Sequence, residues 1–478
     1  MTASRALSGR EPLSLLRSKI AVAPRGVVVA FSGGRDSLAL LAACAQLRDQ
    51  GVLAGRSVRA IHVDHGLQRP SADWAKQCRR LARSLAVPLT VRRLEITLAQ
   101  GQSLEAEARH HRYAVFTELI RRDECLLTAH HLEDQAETLL LQLLRGAGVR
   151  GLAAMPAEMP LGRGWLWRPW LDVPRAALES LLNSLASTKS LPWIEDPSNQ
   201  DVRFDRNYLR AEVLPKLTAR WPAAASVIAR SAAHLGEARA LLDELAAADL
   251  AHLRPANASP AVMELQSLMT LGIARQRNAL RAWLSELGLS LPDTKHLERI
   301  RCELPRARAD AQPIVRWPGG EVRRFGDRLY AIAKESVAKE TATKKSSGKP
   351  APLRWRWRVG EALSLGPGEG SLQLVRDAEG PLSAERLPAL LWVRTRVGGE
   401  SMALQGGAGR RRIKSLLREA RVLPWWRERV PLLGAGEEVI AVGDLYVSAR
   451  YRAQGDAPAR TRLRLIWQRP EGWIEASG

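Results

Sequence analysis

Four short runs of β-branched and apolar residues, VVVAF (27–31), VRAIHV (58–63), LTVRRLEI (89–96) and CLLTAH (125–130), recur about every thirty residues. Segments of helical period lie between them, among them ADWAKQCRRLARSLA (72–86) and SLEAEARHHRYAVFTELIRR (103–122). Strand, helix, strand at this spacing is the pattern of βαβ units, which fold as a parallel sheet with right-handed crossovers. The expected class is therefore α/β with an N-terminal Rossmann-like parallel sheet. Ligands of such sheets sit at the carboxyl ends of the strands.

The first run ends at such a place. In VVVAFSGGRDSLALL, two glycines follow Phe31 and Ser32, and an apolar segment of helical spacing opens at Asp36 and Ser37. Glycine lets backbone N–H groups turn inward and approach a phosphate closely, and the helix adds its positive end. A tight turn with no ligand is the alternative for so short a motif. A Walker loop ends in Gly-Lys-Ser/Thr, and here Asp36 stands in place of the lysine. A carboxylate beside phosphate calls for a cation between them, so Asp36 is a candidate Mg²⁺ ligand.

With 478 residues, the chain is long enough for two or three separately cored domains. Residues 1–217 carry the strand-helix alternation. Residues 218–333 turn to Ala-, Leu- and Arg-rich helices, with no strand signal until EVRRFGDRLYAIA (321–333). Residues 334–352 are polar and Lys- and Ser-rich, as in a flexible linker. Residues 353–478 alternate as strands around the helix-like RRRIKSLLREA, which predicts a small α+β domain.

No apolar run is long enough to span a membrane, and Arg10 and Glu11 interrupt the N-terminal stretch where a signal peptide needs an unbroken apolar region. No membrane partner and a cytoplasmic location are expected. The four cysteines form no CxxC pair for zinc, an iron–sulfur cluster or a redox dithiol, and are read as buried or idle thiols. A net charge of +22 suits a polyanionic partner, although Arg-rich composition alone would also raise it. Local clustering favours nucleic acid: residues 406–430 hold eight basic and two acidic side chains beside Trp425 and Trp426. Either tryptophan is equally suited to a core.

The motif SGGRDS after a strand resembles the pyrophosphate loop of the ATP pyrophosphatases, which cleave ATP between its α and β phosphates to leave an adenylated substrate. HVDHGL (62–67), EAEARHHRY (105–113), AHHLEDQAETLLLQLLRGAGVRGLAAM (129–155), RPWLDVPRAAL (168–178) and WIEDPSNQDVRFDRNYLRAEVLP (193–215) then follow in the order and spacing of the tRNA(Ile)-lysidine synthetase family. GRRRIKSLLREARVLPWWRERVPLL (409–433) is similar to that family's tRNA-binding end domain, so the resemblance covers nearly the whole chain. Three positions depart from the family pattern: Arg35 in the loop, Glu133 beside Asp134 where two Asp are usual, and RVGGES (396–401) for a Gly-Asp-Arg motif.

The resemblance implies a ligase that forms a carbon–nitrogen bond: ATP with Mg²⁺ adenylates the wobble cytidine of a tRNA(Ile) with a CAU anticodon, and free L-lysine displaces AMP to give lysidine. It implies tRNA binding by residues 218–333 and 353–478. A homodimer is entertained, but the sequence does not fix the oligomeric state. Asp134 and Glu137, three apart on one helix face, are expected to act with Asp36 in catalysis by holding Mg²⁺ or orienting the amine. An acidic first turn that complements the helix dipole is the plainer reading. Ser32, Gly33, Gly34, Arg35, Asp36, Ser37, His62 and Arg112 are expected to bind the nucleotide. Arg206, Asn207, Arg210, Arg410, Arg411, Arg412, Lys414 and Arg427 are expected to contact RNA, Arg being suited to bidentate phosphate contact. Adjacent histidines point apart on a helix, so the pairs His110–His111 and His130–His131 are assigned no zinc. A tRNA thiolase of the same superfamily would generally need catalytic or cluster cysteines, against which the absence of any CxxC pair argues, and a decayed RNA-binding protein would show an eroded loop.

Overall fold

The computed structural model describes residues 11–64, 66, 71–94, 104–186, 191–256, 258–308, 311–333, 352–366, 369–406, 409–455 and 457–469. The expected linker lies outside them apart from Pro352. The chain divides into two compact units, Met1–Leu241 and Leu242–Gly478.

In the first unit, α1 (Pro12–Ala21) leads into β1 (Gly26–Ala30), α2 (Arg35–Asp49), β2 (Ser57–Asp64), α3 (Ser71–Ser84) and β3 (Leu89–Arg93). Then come α4 (Leu104–Leu119), β4 (Glu124–Leu127), α5 (Leu132–Leu144), α6 (Val149–Leu152), β5 (Glu158–Leu161), β6 (Gly164–Trp167) and α7 (Arg175–Ala186). The strands form one sheet in the order β3-β2-β1-β4-β6-β5, parallel except for the β5–β6 hairpin. The order reverses at β1. The next strand in the chain, β2, lies on one side of it and β4 on the other, which opens a crevice at their carboxyl ends.

Alternation along β1 explains its unbroken apolar run. Val27, Val29 and Phe31 join a core with α2, α3 and α7, whereas Val28 joins Ile61, Phe116, Ile120 and Leu126 on the α4 side. Both faces are covered, so no position on the strand is left for a polar side chain. Helix α2 is buried almost all round, from Ser37 to Ala45, which accounts for its lack of a polar stripe.

The next α-helix described after α7 is α8 (Asp205–Tyr208), which packs on α5. A π-helical turn at Leu209–Val213 links α8 to α9 (Leu214–Arg220). The unit boundary falls within α10 (Ala224–Leu253).

In the second unit, β7 (Val262–Glu264) precedes α11 (Leu265–Thr270), α12 (Ile273–Glu286) and α13 (Thr294–Arg306). Strands β8 (Ile314–Trp317), β9 (Gly320–Phe325) and β10 (Arg328–Ala333) then complete an antiparallel sheet in the order β7-β10-β9-β8. The sequence reading found β9 and β10 but passed over β7 and β8. Three- and four-residue strands carry too few residues to show a period of two.

Among the described residues, 352–469 add three antiparallel sheets: β11 (Leu353–Trp355) with four strands from 391–447, a four-stranded sheet built on the pair Ser371–Arg376 and Arg462–Gln468, and the two-stranded pair Ser401–Ala403 with Arg410–Arg412. Val262 and Tyr330 share one buried core with Trp355, Leu391, Ile413 and Trp467, so the helical and end segments pack as one unit. Among the described residues, no helix is long and apolar enough to cross a membrane.

Candidate active site

At the end of β1 the chain turns through Ser32 and Gly33 into Gly34, which caps α2. The N–H groups of Arg35, Asp36 and Ser37 fall in the first turn, where no intrahelical acceptor exists, and they face the crevice with the positive end of a 15-residue helix. The two serines brace the turn. Ser32 Oγ lies 3.0 Å from Ser37 Oγ and accepts from Gly34 N at 3.3 Å, and Ser37 Oγ donates to the Gly34 carbonyl at 2.9 Å. Gly33 adopts φ +88°, and a Cβ there would stand 2.5 Å from Ile194 Cδ1 and 2.8 Å from Cys78 Sγ. Its own carbonyl accepts from Ile194 N at 2.9 Å, which pins the turn to a distant segment.

The crevice is a cavity of about 600 Å³. Its lining brings together most of the expected nucleotide residues: Ser32, Gly34, Arg35, Asp36, Ser37, His62 and Arg112. Gly33 lies behind the turn. His62 is buried and its Nδ1–H donates to the Phe31 carbonyl at 2.8 Å, while burial lowers its pKa, so the ring is neutral with Nε2 left as an acceptor. Arg35 bends from the turn to Glu179 (2.6 Å) and stacks over Trp193 at 4.8 Å.

Asp36 Oδ1 is buried and has no hydrogen-bond partner; Arg175 Nε, at 3.8 Å, is too far to donate. An oxygen orphaned in this way beside phosphate-directed amides fits one ligand position of Mg²⁺, which keeps its other positions for water and phosphate oxygens. Among the described residues no cluster of three or more His, Cys, Asp or Glu forms an all-protein metal site.

Behind Asp36 stands a charge network that the sequence did not disclose. His131 Nδ1–H donates to Glu133 at 2.9 Å, and its Nε2 lies 3.5 Å from Asp134 and 3.8 Å from Asp36. Burial works to lower the His131 pKa, but the Glu133 hydrogen bond and the surrounding carboxylates raise it overall. His130, the next residue back, lines the cavity with Nδ1 2.8 Å from Thr128 Oγ1. Burial, aided by Arg168, Arg206 and Arg109, pushes it down to about 3. One histidine of the pair is therefore neutral and the other favours the charged form.

Asp134 and Glu137 are close to Asp36 in the fold but do not line the cavity. Glu137 is 0% exposed and receives a bidentate contact from Arg210, Nε at 2.7 Å and Nη2 at 2.9 Å, and the same Nη2 reaches Asp134 Oδ1 at 3.0 Å. Burial drives the Glu137 carboxyl up, with Arg210 opposing it, and the two carboxylates hold the guanidinium charged. The π-helical turn carries Arg210 onto these carboxylates, with 34% of its side chain still exposed. Arg206 divides its guanidinium between Thr138 Oγ1 (2.8 Å) and Glu137 (3.5 Å) and also lines the cavity. Asn207 ties the loop before it, donating to the carbonyls of Ser198 (2.8 Å) and Asp201 (3.0 Å).

The remaining expected RNA contacts lie in the second unit. Arg410, Arg411 and Arg412 are exposed on one short strand, with Lys414 exposed on the helix that follows. Arg410 donates to Ser401 Oγ (3.1 Å) and carbonyl (2.8 Å), and Arg411 pairs with Glu419. Arg427 is half-buried, and burial together with Arg418 and Arg396 lowers its pKa, a grouping of like charges suited to an anion. Trp425 and Trp426 take the core alternative. Trp425 packs edge-to-face on Tyr330 and Phe325 with Arg323 over its ring, and Trp426 is buried. Cys44, Cys78 and Cys125 are buried free thiols, each pushed up to about 12 by burial, which leaves them unreactive.

The family described as a PP-loop domain matches residues 10–217, the TilS substrate binding domain matches 263–330, and the TilS substrate C-terminal domain matches 391–467. A tRNA(Ile)-lysidine synthase of Pseudomonas aeruginosa is 43% identical over 457 residues, 93% of this chain and 94% of that one. A protein of the same name from Alkalilimnicola ehrlichii is 40% identical over 449 residues, 93% and 95% of the two chains. Among solved structures, a U34-tRNA thiolase from Methanococcus maripaludis is similar over 48% of this chain and 79% of its own, with 17% identity and a TM-score of 0.38.

Proposed function

The chain belongs to the tRNA(Ile)-lysidine synthase family, ATP-using ligases that form lysidine on tRNA, and from that premise we propose that it joins free L-lysine to C2 of the wobble cytidine in a CAU anticodon. The observation that carries this reading is the pairing of a phosphate-directed turn, Ser32–Ser37, with the orphaned Asp36 Oδ1 at the same helix end.

The turn holds the β and γ phosphates of ATP through its backbone N–H groups. Asp36 would hold Mg²⁺, which would screen the charge of the departing pyrophosphate. The cytidine O2 attacks the α phosphorus, the bond from that phosphorus to the bridging oxygen breaks, and pyrophosphate leaves in the cradle that already binds it. The lysine ε-amine then adds at C2, loses its proton, and AMP departs with the former O2. His62 and Arg112 border the nucleotide. Neutral His130 offers a hydrogen-bonding ring in the cavity without adding charge against the incoming amine. Asp134 and Glu137 act from behind: Asp134 holds His131 against Asp36, and Glu137 sets Arg206 at the cavity wall. The missing Walker lysine is consistent with this division, because that residue serves transfer at the γ phosphate.

The test supplies the protein with ATP, Mg²⁺, labelled lysine and tRNA(Ile) transcripts. Label should enter the CAU transcript and not one with an altered anticodon. No incorporation, or equal incorporation into both, would end the assignment.

A further inference from the structure

The segment 196–210 does more than tie the cavity together. Phe204 lines the cavity yet is 37% exposed, and Tyr208 stands one turn on, outside the lining and 49% exposed, with its N–H on the Phe204 carbonyl at 2.9 Å. Single exposed aromatics are ordinary on a protein surface. The backbone that carries these two is held in place. Phe204 N donates to the Asp201 carbonyl at 3.2 Å, Asn207 clamps the same carbonyl, and Asp205 is joined to Arg145 at the end of α5 at 3.7 Å. Leu143 and Leu144, the residues before Arg145, are also exposed.

The neighbouring residues favour one occupant. Arg203 and Arg206 bracket Phe204 in the chain, Arg203 is held on Asp201 and Arg145 on Asp205, and Arg206 lines the cavity itself. Exposed aromatic side chains that alternate with arginines along one segment at the cavity rim suit an unpaired nucleic-acid strand, whose bases stack on the rings. A prebuilt platform also spares the strand the cost of ordering the protein.

We infer that Phe204 and Tyr208 form a two-step stacking platform for unpaired anticodon bases beside the modified cytidine, an assignment that rests on the reading of the chain as a tRNA-modifying ligase.

The experiment uses the full chain and tRNA(Ile) with 2-aminopurine in place of the anticodon adenosine. Wild type should quench the fluorophore. Phe204→Ala and Tyr208→Ala should each lose quenching and weaken tRNA binding by roughly tenfold, the scale of one lost base stack. Phe204→Trp should retain both, and the KM for ATP should stay unchanged in Tyr208→Ala, whose side chain is outside the cavity lining. Unchanged quenching and affinity in the alanine variants would overturn the inference. So would a raised KM for ATP at unchanged tRNA affinity, which would mean that Phe204 stacks on adenine. Tyr208→Ala, outside the cavity, decides the matter if Phe204→Ala disturbs folding. Absence of lysine incorporation by wild type would count against the proposed function; normal incorporation with variants that bind and quench like wild type would count against the platform alone.

Discussion

Asp36 and His131 face each other across a few ångströms, and each gives a prediction that the other does not share. Asp36→Ala removes the orphaned oxygen and should abolish pyrophosphate release while leaving tRNA binding largely intact. Unchanged release would take Asp36 out of the cation role. For His131, a pKa raised above the ordinary 6.5 means that its charge contributes stability fully below pH 6.5, and that this contribution fades as pH rises through the higher folded value. The thermal midpoint of wild type should therefore fall between neutral and mildly alkaline pH more than that of His131→Gln. Parallel curves would remove His131 as the source. The loop residues Ser32–Ser37 were legible because glycines and a helix start are local signals. His131 was not, because its state depends on Glu133, Asp134 and Asp36, carboxylates gathered from two elements.

At the scale of elements, the turn after β1 and the helix through Arg210 differ in how much of their design is local. Gly33→Ala would place a methyl against Ile194 and Cys78 at a positive φ, and should cost roughly 1–3 kcal/mol in urea unfolding while weakening ATP binding. Arg210→Ala leaves Glu137 buried without its fork. A loss of about 3 kcal/mol is expected, the low end for a broken buried pair because Arg210 itself is partly open to water. Adding Glu137→Gln should recover part of that loss, and no recovery would mean that the pair is not what stabilises the segment. From the sequence, Arg206 and Arg210 read as two cations on one helix face aimed at phosphate. The π-helical turn and a partner 73 residues away could not be read from spacing, and they turn Arg210 inward. Helix α2, by contrast, was plain from its apolar run, since both its sides are covered.

Over the whole molecule the decisive quantity is the net charge of +22. If it serves RNA binding, the logarithm of tRNA affinity should fall steeply with the logarithm of salt concentration, and Arg410→Ala or Arg412→Ala should each lower that slope by about one for a lost phosphate contact. A slope unchanged in both variants would move the contact elsewhere on the chain. The parallel strands β1 to β4 and the long helices were visible in the periodicity, whereas the β5–β6 hairpin, β7 and β8 were too short to show it. Their assembly was less so: Trp425 and Trp426 sit in a basic run yet pack inward, one of them against strands a hundred residues earlier, because burial depends on a partner surface that no local pattern encodes.

The hydrogen bond from Ile194 to the Gly33 carbonyl bears on how the protein comes into being. A ribosome delivers the glycine turn first and its buttress 161 residues later, so strands β1 to β4 are all made before the turn beneath them has a floor. Nucleotide capture then waits on the segment that also carries Phe204 and Arg206, and a half-made chain holds the motif without the grip.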